Sequence, residues 1–285
     1  MMHKNKYDWI IEAKAPLFNF KLQETWLYRD LLVLLIHRDL VSFYKQTILG
    51  PLWFFIQPLF TTVIFTFIFG NLAGISTDGL PKPLFYMAGI TAWNYFADCL
   101  NKTSTVLRDN AGIFGKVYFP RVIMPLSIVA GNLIRFAVQF ILFIIMIGYY
   151  YLNGHRLDVT SAVLFFPFLI MLMAMLGLGS GMIISAMTTK YRDLTFLVSF
   201  GVQLLMYTTT VIYPLSVALE KYPRYAWVIE YNPMTPIIET FRYGFLGEGR
   251  FSWDGLGYAA TITLVLLTSG LAVFNKVERD FMDTV

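Results

Sequence analysis

A metal centre or a nucleophilic site in this chain would have to be built from three histidines, His3, His37 and His155, and one cysteine, Cys99. The histidines are widely separated, and long apolar runs place His155 across a membrane from the other two, so they form no single cluster. One cysteine excludes an internal disulfide and any multi-cysteine metal site. Phosphate-cradling loops fare no better. Gly112-Ile-Phe-Gly115-Lys116 has the wrong glycine spacing and lacks the following hydroxyl residue, and the GLGSG at 177–181 lies in a charge-free run with no Lys-Ser/Thr after it. No HExxH or GxSxG occurs. Three charges fall inside apolar runs: Asp98, Lys102 and Arg135. Asp98 and Lys102 stand at i and i+4 with the acid first, the favourable order for a helical pair. Either they face protein or water within a span, or the helix ends early and both lie at the cytoplasmic interface. An arginine at the centre of a span costs about 3 kcal/mol on insertion scales, so Arg135 needs a carbonyl, an acid or water. So few acids cannot make a proton relay, and no group here hydrolyses ATP. Transport by this chain would draw its energy from a partner.

The elements that carry these residues are membrane helices. The 285 residues are 57% hydrophobic and only 14% charged, where soluble domains carry about 25% charged residues; the mean hydropathy is +0.60. The net charge of +4 does not point to nucleic acid, because the basic residues stand between apolar runs. The first 21 residues mix both signs of charge without an apolar core, so no signal peptide is expected and the N-terminus is expected in the cytoplasm.

Around Ser42–Asn71 the pattern changes character. Residues 22–46 repeat charges about every seventh position, which predicts an amphipathic helix lying at the interface. Gly50-Pro51 predicts an elbow. No charge occurs between Lys45 and Asp78, long enough for a span of about 20 residues. The expected fold class is an all-α integral membrane protein with six spans, at about 52–72, 84–107, 122–151, 162–187, 194–214 and 255–275. Residues 1–50 form the cytoplasmic N-terminus and interface helix, 51–275 the transmembrane domain, and 276–285 a cytoplasmic tail. Of the 22 Lys and Arg residues, 14 fall on the side assigned as inner. The glycines of 177–181 permit close helix packing. No inverted repeat relates the two halves, which weakens a secondary-transporter reading. Aromatics make up 17% of the chain. They suit an interfacial belt, or a pathway whose ring faces stack on sugars.

Five stretches carry a resemblance that covers nearly the whole chain: YRDLLVLLIHRDLVSFYKQTILGPLWFFIQPL (28–59), GKVYFPRVIMPLS (115–127), TTKYRDL (188–194), NPMTPIIETFR (232–242) and FNKVERDFMDTV (274–285). Together they resemble the membrane subunit of type-2 ABC exporters, in the branch that moves lipid-linked polysaccharides such as O-antigen, capsule and teichoic acid. An arginine usual before the tyrosine-lysine is replaced here by Ser42-Phe43.

The resemblance implies a homodimer in the bacterial inner membrane, paired with two copies of a separate ABC ATPase subunit that binds ATP and Mg. This chain itself would hold no cofactor and be no enzyme. Its substrate would be an undecaprenyl-diphosphate-linked glycan, in contact with membrane lipid and not with nucleic acid. The connector 108–121 resembles the coupling helix, with Lys116, Tyr118, Phe119, Pro120 and Arg121 transmitting ATPase motion, joined by Tyr191, Arg192 and Asp193 of the second inner turn. Residues 215–250 resemble periplasmic gate helices. Arg29, Arg38 and Lys45 would attract the diphosphate headgroup. Trp53, Phe65, Phe69, Trp93, Phe200, Tyr207, Tyr213 and Tyr243 would line the channel and exit. A drug exporter of the same type is the alternative, and a glycan-modifying membrane enzyme lacks the acid or histidine cluster it would need.

Overall fold

The structure, a computed structural model, describes residues 22–45, 48–114 and 119–282. The first 21 residues and the last three of the tail therefore lie outside the described residues, as do Lys116 and Tyr118. The described residues fold entirely as helices joined by turns. The described residues begin with α1 (Leu22–Leu27) and α2 (Arg29–Tyr44), which meet at Tyr28. Leu31, Leu32 and Leu35 of α2 pack inward, whereas Val33 and Leu34 are exposed. The helix thus presents apolar surface on two sides, a wider stripe than the charge spacing suggested.

The elbow is real. Gly50 is buried with φ +51°, a left-handed backbone that residues with a Cβ adopt at a cost, and a 3₁₀ turn Gly50–Leu52 leads into α3 (Trp53–Phe65). α3 widens into a π-helical turn, Thr66–Leu72. Then follow α4 (Lys82–Thr103), short α5 (Val106–Asp109) and α6 (Ala111–Phe114), α7 (Ile123–Leu152), and a 3₁₀ segment Ser161–Phe165 that runs into α8 (Phe166–Thr188). The rest is α9 (Leu194–Tyr207), α10 (Leu215–Lys221), α11 (Ala226–Glu230), α12 (Met234–Leu246) and α13 (Trp253–Met282).

Four helical segments among the described residues are long and apolar enough to cross a membrane: Gly50–Leu72, Ile123–Leu152, Ser161–Thr188 and Trp253–Val277. Six were expected. The expected span 84–107 corresponds to α4, which ends at Thr103 and is buried along one unbroken run, Leu84 to Trp93. Enclosed by other helices, it can keep Thr91, Asn94, Tyr95 and Lys102 without presenting them all to lipid. The expected span 194–214 is an apolar helix of 14 residues that stops at Tyr207. At about 1.5 Å per residue it is short of a bilayer core. The stop is written in Thr208 and Thr209, whose hydroxyls donate to the carbonyls of Leu205 (2.9 Å) and Met206 (2.7 Å), and in Pro214 beyond them.

α8 is the hub, and its small residues explain why. A Cβ on Gly177 would stand 2.7 Å from Cys99 Cβ on α4, and one on Gly181 would stand 2.6 Å from Thr103 Cβ on α4. A Cβ on Gly179 would stand 2.6 Å from the backbone nitrogen of Leu267 on α13. Alternate glycines therefore let two neighbours approach to backbone contact, the packing available where lipid gives no hydrophobic drive between helices. Gly179→Leu is expected to cost about 1–3 kcal/mol, because the obstacle is backbone and cannot rotate away. A thermal-unfolding midpoint equal to that of the unaltered protein would contradict this packing.

Candidate functional site

Three groups of residues stand out from the packing. The first lies where α2, α4 and α7 meet. Lys102, in the last turn of α4, donates to Asn132 Oδ1 on α7 at 2.9 Å. Arg135, one turn further along α7, places Nη1 4.0 Å from Asp98 Oδ2 and its guanidinium carbon 4.9 Å from the Phe54 ring of α3. The expected Asp98–Lys102 pair is therefore not the one formed. α7 supplies the partners of both side chains, Asn132 for the lysine and Arg135 for the acid. A cavity of about 350 Å³ opens beside them, with Asp39 and Ser42 of α2 on its far wall. Of the proposed headgroup residues, Arg29 is exposed, Lys45 is exposed, and Arg38 is half-buried with Nη2 2.8 Å from Asp39 Oδ1.

The second group is the connector between α4 and α7. Phe119 and Arg121 are buried, Phe119 against Phe114 (ring centroids 5.8 Å apart) and the Arg121 guanidinium over the same Phe114 ring at 5.2 Å. Phe119 belongs to a core that includes Leu35 of α2, Leu107 of α5, Met182 of α8 and Phe274 of α13. Pro120 is half-buried at the turn before α7. Tyr191, Arg192 and Asp193 are exposed. The connector and the turn after α8 are tied together: Arg108 Nη1 donates to Thr195 Oγ1 at 2.8 Å, and Thr188 Oγ1 donates to Ser104 O at 2.5 Å.

The third group is at the opposite end. Glu239 and Arg242, one turn apart on α12, are both buried, with Arg242 Nη1 3.4 Å from Glu239 Oε1. The guanidinium lies flat on Phe85 of α4, 3.6 Å from the ring centre, and Nη2 donates to Val211 O at 3.0 Å. That carbonyl follows the end of α9, where no helical partner remains for it. Glu239 Oε2 accepts from the backbone N–H of Arg250 at 3.1 Å. Gly89 makes the approach possible, since a Cβ there would lie 2.7 Å from Arg242 Nη2. Burial pushes the Glu239 carboxyl above its ordinary range, against the pull of Arg242. Burial likewise lowers Arg242 to about 10, which leaves it protonated at neutral pH.

The aromatic residues proposed for the channel separate by environment. Trp53, Phe200 and Tyr207 are exposed. Phe65 and Phe69 pack on each other edge-to-face at 5.2 Å, and Tyr213 donates its hydroxyl to Tyr207 O at 2.6 Å. Tyr243 stacks on Phe251, and Trp93 is buried against Phe96. Much of the aromatic content has a use that neither a belt nor a channel describes. Phe140, Phe143, Phe166, Phe241 and Phe245 form one interlocked cluster joining α7, α8 and α12, with Phe140–Phe166 centroids 4.5 Å apart and Phe241–Phe245 5.0 Å. The sequence signal for it was the i, i+4 spacing of Phe241 and Phe245 on α12.

Residues 30–246 match the family described as ABC-2 type transporter. The chain belongs to the ABC-2 type transporter family. This ABC-2 chain is 29% identical over 255 residues to the O-antigen export system permease protein RfbA of Klebsiella pneumoniae, covering 89% of its own length and 94% of that protein. It is 25% identical to the O-antigen export system permease protein RfbA of Myxococcus xanthus, over 93% and 98% of the two chains. The polysialic acid transport protein KpsM of Escherichia coli is 23% identical over 85% of this chain and 91% of its own. The family match runs over α2 through α12 and includes Asp98, Lys102, Arg135, Phe119, Arg121, Glu239 and Arg242.

Proposed function

We propose that this protein is the membrane permease subunit of an ATP-driven exporter of a lipid-linked polysaccharide, with O-antigen as the first substrate to test. The observation that carries the reading is the similarity along about nine-tenths of the chain to permeases named for O-antigen export. In this reading the protein sits in the bacterial inner membrane as a homodimer with both termini cytoplasmic. α4 is the fifth span, α9 together with the 208–214 segment that follows it makes the sixth crossing, and two copies of a separate ABC ATPase subunit supply the energy. The 108–121 connector and the turn at Tyr191, Arg192 and Asp193 receive the ATPase motion. The exposed turn is suited to touch the partner, and buried Phe119 and Arg121 carry the movement into the bundle. Residues 215–250 close the outer side, and exposed Trp53, Phe200 and Tyr207 offer ring faces to the passing glycan. An undecaprenyl-diphosphate-linked glycan approaches past α2, drawn by Arg29, Arg38 and Lys45.

The test is deletion of the gene in a strain that makes the glycan. Surface polysaccharide is expected to disappear while lipid-linked glycan accumulates inside, and the unaltered chain restores export. Undiminished surface glycan, with partner ATPase activity that responds to a drug instead, would overturn the reading. Arg38→Gln with Lys45→Gln is expected to lower export about tenfold or more, from about 1 kcal/mol per basic residue at an anionic surface. Membrane insertion and dimer formation should not change. Export at the unaltered rate would remove these two residues from the headgroup path.

A further inference from the structure

We propose that the cavity between α2, α4 and α7 seats the diphosphate of the lipid-linked substrate, with Lys102 and Arg135 as the cations that hold it. The proposal rests on the lipid-linked-glycan reading above and goes beyond it by locating the anion inside the bundle rather than on the surface of α2.

Charge is the first reason. Lys102 and Arg135 both line the cavity, and the acid on its wall, Asp39, is already bonded to Arg38 through Nε at 2.9 Å and Nη2 at 2.8 Å. The lining therefore holds two cations against one carboxylate, with Asp98 outside it, 4.0 Å from Arg135. Charged side chains among apolar helices are expensive and mark sites of function. Donor capacity is the second reason. An ammonium carries three N–H donors, and Lys102 spends one on Asn132. Asn132 Nδ2 points at Cys99 Sγ, 3.8 Å away, a weak acceptor that an anionic oxygen would replace with gain. Ser42 adds a hydroxyl on the α2 wall.

Space is the third reason. Gly131 lines the cavity from the third turn of α7, and a Cβ built there meets nothing within 4 Å. A helical glycine costs about 1 kcal/mol relative to alanine, so this position keeps open a volume that packing alone would fill. About 350 Å³ is within the range of small-molecule sites. A diphosphate suits it because two adjacent anionic groups can engage an ammonium and a guanidinium at once. A phosphodiester headgroup with one charge can satisfy only one of them.

Full-length protein in phosphatidylcholine nanodiscs, titrated with undecaprenyl diphosphate, tests the assignment. The unaltered protein is expected to bind, and Lys102→Met to bind at least about tenfold more weakly. Gly131→Leu keeps every charge, adds a better helix former and fills the cavity, so it is expected to weaken binding by a similar factor. Phosphatidylglycerol and inorganic pyrophosphate at the same concentration should displace the lipid poorly. Undiminished binding by both variants overturns the cavity and leaves the transport reading standing, whereas no binding by the unaltered protein overturns both. Equal competition by phosphatidylglycerol would make the site one for anionic lipid in general. Equal competition by pyrophosphate would make it one for a soluble diphosphate.

Discussion

Arg242→Met is expected to lower the stability of the protein by about 3–5 kcal/mol, the usual loss when one partner of a buried ion pair is removed. The substitution leaves Glu239 buried beside an apolar side chain, and it takes the Nη2 donor from Val211 O, the carbonyl exposed by the end of α9. Two elements therefore lose their fastening to α4 at one stroke. Thermal unfolding in detergent reads the effect. Arg242→Lys is expected to recover only part of it, because an ammonium neither lies flat on Phe85 nor spans the distance between Glu239 and Val211. The double variant Arg242→Met with Glu239→Gln is expected to be more stable than Arg242→Met alone, since the stranded charge is gone. If the single and double variants melt together, the carboxylate and the guanidinium are not energetically coupled.

Phe119→Ala is expected to cost about 3–5 kcal/mol, as for other buried phenylalanines. Phe119 is 5% exposed and sits in the core that joins α2, α5, α7, α8 and α13. The variant separates two ideas about the connector. If Phe119 anchors the connector, stability falls, and in a complex with the ATPase the hydrolysis persists while glycan export is lost. Tyr191→Ala is the comparison, because Tyr191 is 55% exposed and its removal should leave the unfolding midpoint within about 0.5 kcal/mol of the parent. A Phe119→Ala protein as stable as its parent would return this side chain to the surface role that the sequence suggests for it.

The sequence made some of this plain. Charge-free runs mark the long apolar helices because a bilayer penalises each ionised group heavily, and Gly50-Pro51 marks the elbow because few residues tolerate φ +51° there. α4 was legible as a helix but not as an enclosed one. Its polar residues look like a flaw in a span until α3, α7 and α8 are seen to surround it. The inward turn of Phe119 and Arg121 was likewise hidden, since a basic residue in an inner connector is expected for topology alone. Arg135 announced that it needed partners, but their identities, Asp98 and the Phe54 ring, depend on how three helices cross. The pair Glu239–Arg242 was readable as i, i+3 on a polar helix. Its burial was not, because the guanidinium is hidden by a glycine, Gly89, on a distant part of the chain.

The glycines of α8 carry a mechanical consequence. Where helices touch backbone to backbone, as at Gly177, Gly179 and Gly181, rolling either one opens the contact, so α4, α8 and α13 are expected to hold together as a frame. A transporter built this way must put its stroke into parts held by side chains alone. In this protein those are α2, the elbow, α3 and the short α9, whose outward faces are exposed. On this division the parts expected to move are the ones that present apolar surface outward, in front of that frame.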